Sequence, residues 1–197
     1  VCLFFVRGIF LNQGQIGHNW DFTFPSFVSS PHNINFLSAY TWNSSNLGYQ
    51  QHLTAAHLIP NYIYSLLVSI LGTEQGTKLL LLSILVVSVF GFAKFSTHIH
   101  PKISRPISLL LGLSYTFSPF LFNEIVGGSW YMWLSYAFIP WYLYAILSFF
   151  EGKNKHLFPA LIFSNLVVSS LQNFVLIHSL LMFYLFLNAK SFKAFLS

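Results

Sequence analysis

The sequence predicts an all-α protein, a polytopic transmembrane helix bundle of about six membrane helices plus a juxtamembrane helix, with a large first extracytoplasmic loop. Three observations predict it. The 197-residue chain is 55% hydrophobic and only 7% charged, where a soluble domain carries roughly a quarter charged residues. Apolar runs near the length of a bilayer crossing, roughly 20 residues, recur along it. Its basic residues sit at the edges of alternate loops, as the positive-inside rule expects. The mean hydropathy of +0.63 agrees.

Residues 1–11 (VCLFFVRGIFL) read as the end of a first membrane helix. The chain is therefore expected to be a fragment of a longer protein, a single transmembrane domain that begins midway through that helix. A cleaved signal peptide is the alternative, but no small-residue cleavage site follows Phe10. Residues 12–76 are expected to form the extracytoplasmic loop and its juxtamembrane helix, and residues 77–197 the helix bundle.

Residues 12–52 are too rich in Gly, Pro and Asn to span, yet carry Trp20, Phe22, Phe24, Tyr40 and Trp42. A disordered linker would lack these rings, and Trp and Tyr favour the bilayer interface. The loop is expected to fold against the membrane surface. In the segment 54–71, the apolar part after Pro60, carried on to Gly72 as 61–72, is 12 residues, about 18 Å of helix. That is short for a crossing and fits a juxtamembrane or re-entrant helix.

The next runs, 77–97, 106–122 and 131–150, are full candidates for crossings. The run 157–189 has 33 residues, about 50 Å of helix and too long for one crossing. Its polar middle, Ser169 to Asn173, predicts a turn between two short helices.

Charge placement fixes the orientation. With Lys94, Lys102, Arg105, Lys153, Lys155, Lys190 and Lys193 cytoplasmic, seven of the nine basic residues lie inside, as expected. Residues 12–76 are then outside, provided 54–71 does not cross. The split of 157–189 keeps Lys190 and Lys193 inside. The net charge of +5 is scattered, so it reads as a topology signal and excludes nucleic acid as partner. The single cysteine, Cys2, excludes an internal disulfide.

Asp21, in GQIGHNWDFTFP, is one of four acidic residues. A carboxylate among aromatics loses hydration and needs a cation or a donor. It can cap a helix or bind loop amides; it can also be a general base or metal ligand at the membrane face. Spacing does not separate these. His18 lies three residues earlier and can orient the carboxylate. Glu124, in SPFLFNEIVGGSW, falls on the same side as Asp21 in this topology. Lys78 is the one basic residue placed outside beside the loop, where it can meet a lipid phosphate or neutralise Glu74. Gly127 and Gly128 allow a tight turn before Trp130 and Trp133, which read as interfacial anchors. His52 and His57 fit no standard metal spacing. Gln172, Asn173 and His178 read as bridges between helices, and Lys94 as a side chain snorkelling to the cytoplasmic interface.

The order of the segments carries a resemblance. GHNWDFTFP, YTWNSSNLG, LIPNYIYSLLVSILG, GTKLLLLSILVVSVFGFAKF, LGLSYTFSPF, GGSW and YAFIPWYLYAI follow one another through about Leu147. The string resembles the N-terminal module of the GT-C-fold multi-pass membrane glycosyltransferases, in particular the YfhO-like and arabinofuranosyltransferase-like branches. The resemblance implies transfer of a hexose or pentose from a polyprenyl-phosphate-linked donor to a glycan, lipid or protein acceptor at the extracytoplasmic face of the plasma membrane. It matches Asp21 to the family's loop aspartate and makes Asp21 and Glu124 the catalytic candidates. His18, Trp20, Trp42, Asn43 and Lys78 become the substrate-binding candidates. No second carboxylate follows Asp21, so the loop has no DxD motif, and Mg²⁺ or Mn²⁺ would need Glu124 and phosphate oxygens as further ligands. Whether a metal is used stays open. A catalytically inactive GT-C-like scaffold or lipid-handling protein is the alternative. A transporter is a third reading, but ionisable residues inside the helices are almost confined to Lys94 and His178, and paired broken helices are not evident.

Overall fold

The computed structural model describes residues 7, 11, 42–43, 49–50, 58–121 and 130–187. A two-residue antiparallel ladder pairs β1 (Trp42–Asn43) with β2 (Tyr49–Gln50), Trp42 opposite Gln50 and Asn43 opposite Tyr49. The rest is helical: α1 (Leu58–Leu71), α2 (Thr73–Ile99), α3 (Arg105–Thr116), α4 (Trp130–Phe150), a 3-10 turn (Asn154–His156), α5 (Leu157–Val167) and α6 (Leu171–Leu187).

Each boundary has a local cause. Gly72 takes φ +80, a conformation that favours glycine, and separates α1 from α2 without a further linker. A Cβ on Gly76 would lie 3.0 Å from the Val68 backbone, so the two helices approach closely there. α3 begins at Arg105 with Pro106 in its first turn, where no amide hydrogen is needed. It is shorter than the run 106–122 because Ser118-Pro119 stops it; the residue before a proline is pushed away from helical angles. Ser118 then accepts from the Leu121 amide at 3.4 Å, an N-cap for the helical backbone that resumes at 119–121.

The run 157–189 breaks at 168–170, where serine side chains compete for helical carbonyls. Ser169 Oγ donates to the Leu166 carbonyl at 2.7 Å, and Ser170 Oγ accepts from the Asn173 amide at 3.4 Å. The turn expected at Ser169 to Asn173 is thus present at its start.

Among the described residues, two helices are long and apolar enough to cross a membrane, Thr73–Ile99 and Tyr131–Phe150. Tyr62–Leu71 and Leu171–Tyr184 are shorter apolar stretches. α1, expected as a juxtamembrane or re-entrant helix, buries one face within the bundle: Tyr64 and Val68 join Leu81, Leu85, Trp133 and Leu166 in one cluster.

Side-chain pairs give the helix directions. Val87 meets Trp141 and His98 meets Glu151, so α2 and α4 run parallel. Phe92 stacks on Tyr115, whereas Ser88 bonds Thr116, so α3 returns against α2. His156 lies on Tyr144 and Ser169 reaches Tyr131, so α5 returns along α4. Asn173 reaches Ser135 and His178 reaches Tyr142, so α6 runs with α4. The α2–α3 turn and the α4–α5 turn therefore share one end of the bundle, and Gly72 and the α5–α6 turn share the other.

The apolar core also takes in hydroxyls, and large apolar side chains lie on the outside. Ser88, Ser135, Ser148, Thr116 and Asn173 are buried, while Leu110, Phe158 and Phe186 are 63%, 71% and 78% exposed. The α2–α3 contact uses small residues: Ser108, Gly112 and Thr116, four apart, are all buried, and the Thr116 hydroxyl donates to Ser88 Oγ at 2.9 Å. Small residues and interhelical hydroxyl bonds are how helices associate in lipid, where burying apolar surface gives no driving force. Trp133, expected as an interfacial anchor, is 1% exposed in the core; its position on α4 faces α1 and α2, and packing there outweighs the interfacial preference of its ring.

Candidate functional site

The sequence-derived site divides between described and undescribed residues. His18, Trp20, Asp21 and Glu124 lie outside the described residues. Trp42 and Asn43 form β1, where the backbone ladder is described and the side chains are not. Lys78 lies on α2, one turn from Glu74, and its Nζ pairs with Glu74 Oε1 at 2.5 Å. The Lys78 side chain is 4% exposed and that of Glu74 34%. Close by, Thr77 Oγ1 donates to the Thr73 carbonyl at 2.6 Å and lies 3.4 Å from the Tyr64 hydroxyl. Of the two roles open to Lys78, neutralising Glu74 is the one seen. A phosphate would have to compete with that carboxylate for the ammonium.

Glu124 falls between the C-terminal end of α3 and the N-terminal end of α4. Both of those ends point towards the Gly72 end of the bundle, the same end as Lys78. Among the described residues no group of three or more His, Cys, Asp or Glu can hold a metal ion.

Two polar constellations escaped the reading of the sequence. The first joins α3 to α4. The Tyr115 hydroxyl donates to the Tyr136 carbonyl at 2.9 Å, and the Tyr136 hydroxyl donates to the Tyr115 carbonyl at 3.2 Å. The rings stack at 4.3 Å with 6° between their planes. Proline explains the pairing. Pro140 and Pro119 stand four residues after Tyr136 and Tyr115 and have no amide hydrogen, so neither carbonyl has its helical donor. In lipid such a carbonyl must be satisfied from a neighbouring element. The signal was present in the sequence as a repeat, YTFSP at 115–119 and YAFIP at 136–140.

The second lies at the opposite end from Lys78, where α2 and α4 finish. Tyr144 on α4 carries Lys94 Nζ 5.3 Å above its ring. The His98 and His156 rings meet it edge-on at 5.2 Å and 5.5 Å. Glu151 accepts from Lys153 at 2.8 Å and faces His98 Nε2 at 3.2 Å. The Lys153 hydrogen bond holds the Glu151 carboxyl below the usual carboxylate range, against partial burial and with help from His98. His156 is pushed below the ordinary imidazole value by burial first and then by Lys155, Lys153, His98 and Lys94. Separation in sequence hid this group: its members come from 94–98, 144 and 151–156.

The helix-bridging reading of Asn173 and His178 is met. Asn173 Nδ2 donates to Ser135 Oγ at 3.2 Å, and Ser135 Oγ donates to the Val167 carbonyl at 2.7 Å. That carbonyl ends α5 and, past the break, keeps only a longer backbone bond from the Ser170 amide at 3.2 Å. His178 Nδ1 donates to the Phe174 carbonyl at 2.8 Å, because a carbonyl only accepts, which in the neutral ring leaves Nε2 to accept from the Tyr142 hydroxyl at 2.9 Å.

No protein family, curated protein or solved structure matches the chain.

Proposed function

We propose that the chain is a multi-pass membrane bundle in the cell envelope, with its basic turns in the cytoplasm, and that it forms the N-terminal module of a GT-C-type glycosyltransferase. The observation that carries the membrane reading is the exposed surface of Leu, Ile and Phe on α1, α2, α3, α5 and α6, around a core that also holds buried hydroxyls. Such a surface, far beyond the scattered apolar residues of a soluble monomer, needs lipid around it. The common end of the α2–α3 and α4–α5 turns supports the orientation, since Lys94, Lys102, Arg105, Lys153 and Lys155 all gather there. On this reading α3, α5 and α6 complete crossings together with the residues that flank them, giving the six spans.

The transferase reading is supported by the ordered resemblance and by the placement of Lys78 and of the helix ends that flank Glu124 on one side. An acceptor hydroxyl attacks the anomeric carbon of the donor; the C–O bond to polyprenyl phosphate breaks, and the phosphate leaves with the electron pair. Asp21 takes the hydroxyl proton or orients the acceptor, and Glu124 assists on the same face. His18, Trp20, Trp42 and Asn43 line the acceptor and sugar. Mg²⁺ or Mn²⁺, where used, would steady the phosphate. A non-catalytic scaffold or lipid-handling role is favoured by one observation, the engagement of Lys78 by Glu74, which removes a ready phosphate partner.

The experiment is sugar transfer from polyprenyl-phosphate donors by the full-length protein and its Asp21→Asn variant. Asn caps about as well as Asp but is not a base. Transfer is expected to fall by a factor on the order of 10²–10⁴, with expression and melting near wild type. Glu124→Gln is expected to cost less. Wild-type transfer by Asp21→Asn would remove Asp21 from the chemistry.

A further inference from the structure

The Tyr144 end of the bundle is built around an excess of positive charge. The chain has four acidic residues. Of these, Glu151 alone lies here among the described residues, and Lys153 and His98 already share it. Lys94 and Lys155 make no ion pair among the described residues. Lys94 is held against the Tyr144 ring, a contact that positions an ammonium without neutralising it. His98 and His156 close on the same ring from two other elements. Lys94 on α2 and Lys155 in the 3-10 turn are like charges brought to one end of the bundle by two separate elements, and an anion would relieve their repulsion.

The adjoining helix indicates which anion. His156 leads directly into α5, whose Leu157, Phe158 and Leu161 are exposed by 43%, 71% and 61%. A phosphate held at Tyr144 would thus have an apolar strip running from it towards the bilayer centre. Free phosphate has no use for such a strip; a diacyl lipid does. We propose that this end of the bundle is a binding site for the phosphate of an anionic membrane lipid, held by Lys94 and His156 beside Tyr144 and by the adjoining Lys155, with the acyl chains along α5. The site rests on membrane embedding and is independent of the sugar-transfer reading, whose one candidate with a described side chain, Lys78, lies at the other end.

The test uses the whole chain, purified in a neutral detergent and titrated with dioleoyl phosphatidylglycerol while bound lipids are counted by native mass spectrometry. Each lysine near an anionic surface contributes about a factor of five, so Lys94→Gln/Lys155→Gln is expected to bind roughly thirtyfold more weakly. Lys94→Arg/Lys155→Arg is expected to bind like wild type, which separates lost charge from lost fold. Lys102→Gln/Arg105→Gln removes the same charge from the same end but away from the Lys94–Tyr144–His156 group and its neighbour Lys155, and is expected to leave binding close to wild type. Equal losses in the two glutamine pairs would replace a built site by diffuse surface charge and overturn the proposal. Undiminished binding in Lys94→Gln/Lys155→Gln would overturn it as well. Zwitterionic phosphatidylcholine is expected to bind weakly, and inorganic phosphate to leave bound phosphatidylglycerol in place; displacement by inorganic phosphate would make free phosphate the ligand and the lipid assignment wrong.

Discussion

Tyr115 and Tyr136 each donate a hydroxyl hydrogen to the other's backbone carbonyl, at 2.9 Å and 3.2 Å. Each of those carbonyls has lost its helical donor to a proline four residues on. The Tyr115 carbonyl keeps a longer bond from the Ser118 amide at 3.3 Å, whereas the Tyr136 carbonyl faces the fully buried Pro140 within α4. Two helix defects are thereby converted into one helix–helix contact.

This pairing makes a double-mutant prediction. Tyr115→Phe is expected to destabilise the bundle by about 1 kcal/mol, within the range of polar contacts in membrane bundles. Pro140→Ala restores an amide hydrogen for the Tyr136 carbonyl. In that background Tyr115→Phe is expected to cost markedly less, as read by thermal melting in detergent. Equal costs in both backgrounds would mean that the proline does not create the need for the hydroxyl.

Gly112 gives a second expectation. A Cβ there would overlap the Val89 carbonyl of α2, which belongs to rigid helix backbone. Gly112→Ala must push α3 away from α2 and lengthen the Thr116–Ser88 bond, at a cost of about 1–3 kcal/mol. Gly91 faces the Trp141 indole, itself fixed by a 3.0 Å bond from Nε1 to the Val87 carbonyl. Gly91→Ala is expected to fall in the same range, and Trp141→Phe in that background to recover part of the loss. Melting temperatures of these variants check both.

At the α5–α6 break, Ser135→Ala takes the shorter of two donors from the Val167 carbonyl, which keeps the Ser170 amide at 3.2 Å, and takes the acceptor from the Asn173 side chain. Losing these buried hydrogen bonds is expected to cost about 1 kcal/mol. Ser135→Thr keeps the hydroxyl and is expected to keep more of the stability. Hydrogen exchange at residues 168–174 should rise in Ser135→Ala and not in the Thr variant.

The charge cluster sets a pH dependence. His156 is held below the ordinary imidazole value of 6.5 by burial and by Lys155, Lys153, His98 and Lys94. The folded state then binds fewer protons than the unfolded state, so stability is lost as pH falls through 6.5. Glu151, held below 4.5 mainly by Lys153, adds stability that is lost only at lower pH, as its carboxylate protonates. Bound phosphate favours the charged imidazole, so phosphatidylglycerol binding should tighten as pH falls below 6.5 towards the lowered value of His156 in the folded protein. With that lipid present, the loss of melting temperature over the same interval should shrink, and His156→Gln should flatten both curves.

What was legible in the sequence came from periodicity and punctuation. Length and apolarity marked α2 and α4, and the Ser169 to Asn173 stretch marked a break, whereas Ser118-Pro119, which stops α3, was read through in the run 106–122. These are local effects, written into a few consecutive residues. Trp133 was misread because whether an aromatic at a helix start faces lipid or core depends on which helices surround it. The Tyr144 cluster and the tyrosine pair were missed for a related reason, since they arise from the directions of α2, α3, α4 and α5, which no single segment encodes. The pairing of Lys78 with Glu74 was foreseeable, being four residues apart on one helix.

Accessibility across the membrane tests the central claim most directly. With Cys2 replaced by serine, single cysteines are placed at Ser45, in the first loop, and at Asn154, in the exposed turn before α5, and intact cells are treated with a membrane-impermeant thiol reagent. The protein is expected in the membrane fraction, with Ser45→Cys labelled at once and Asn154→Cys labelled only after lysis. Labelling of Asn154→Cys in intact cells with protection of Ser45→Cys, or recovery of the protein from the soluble fraction, would contradict the account.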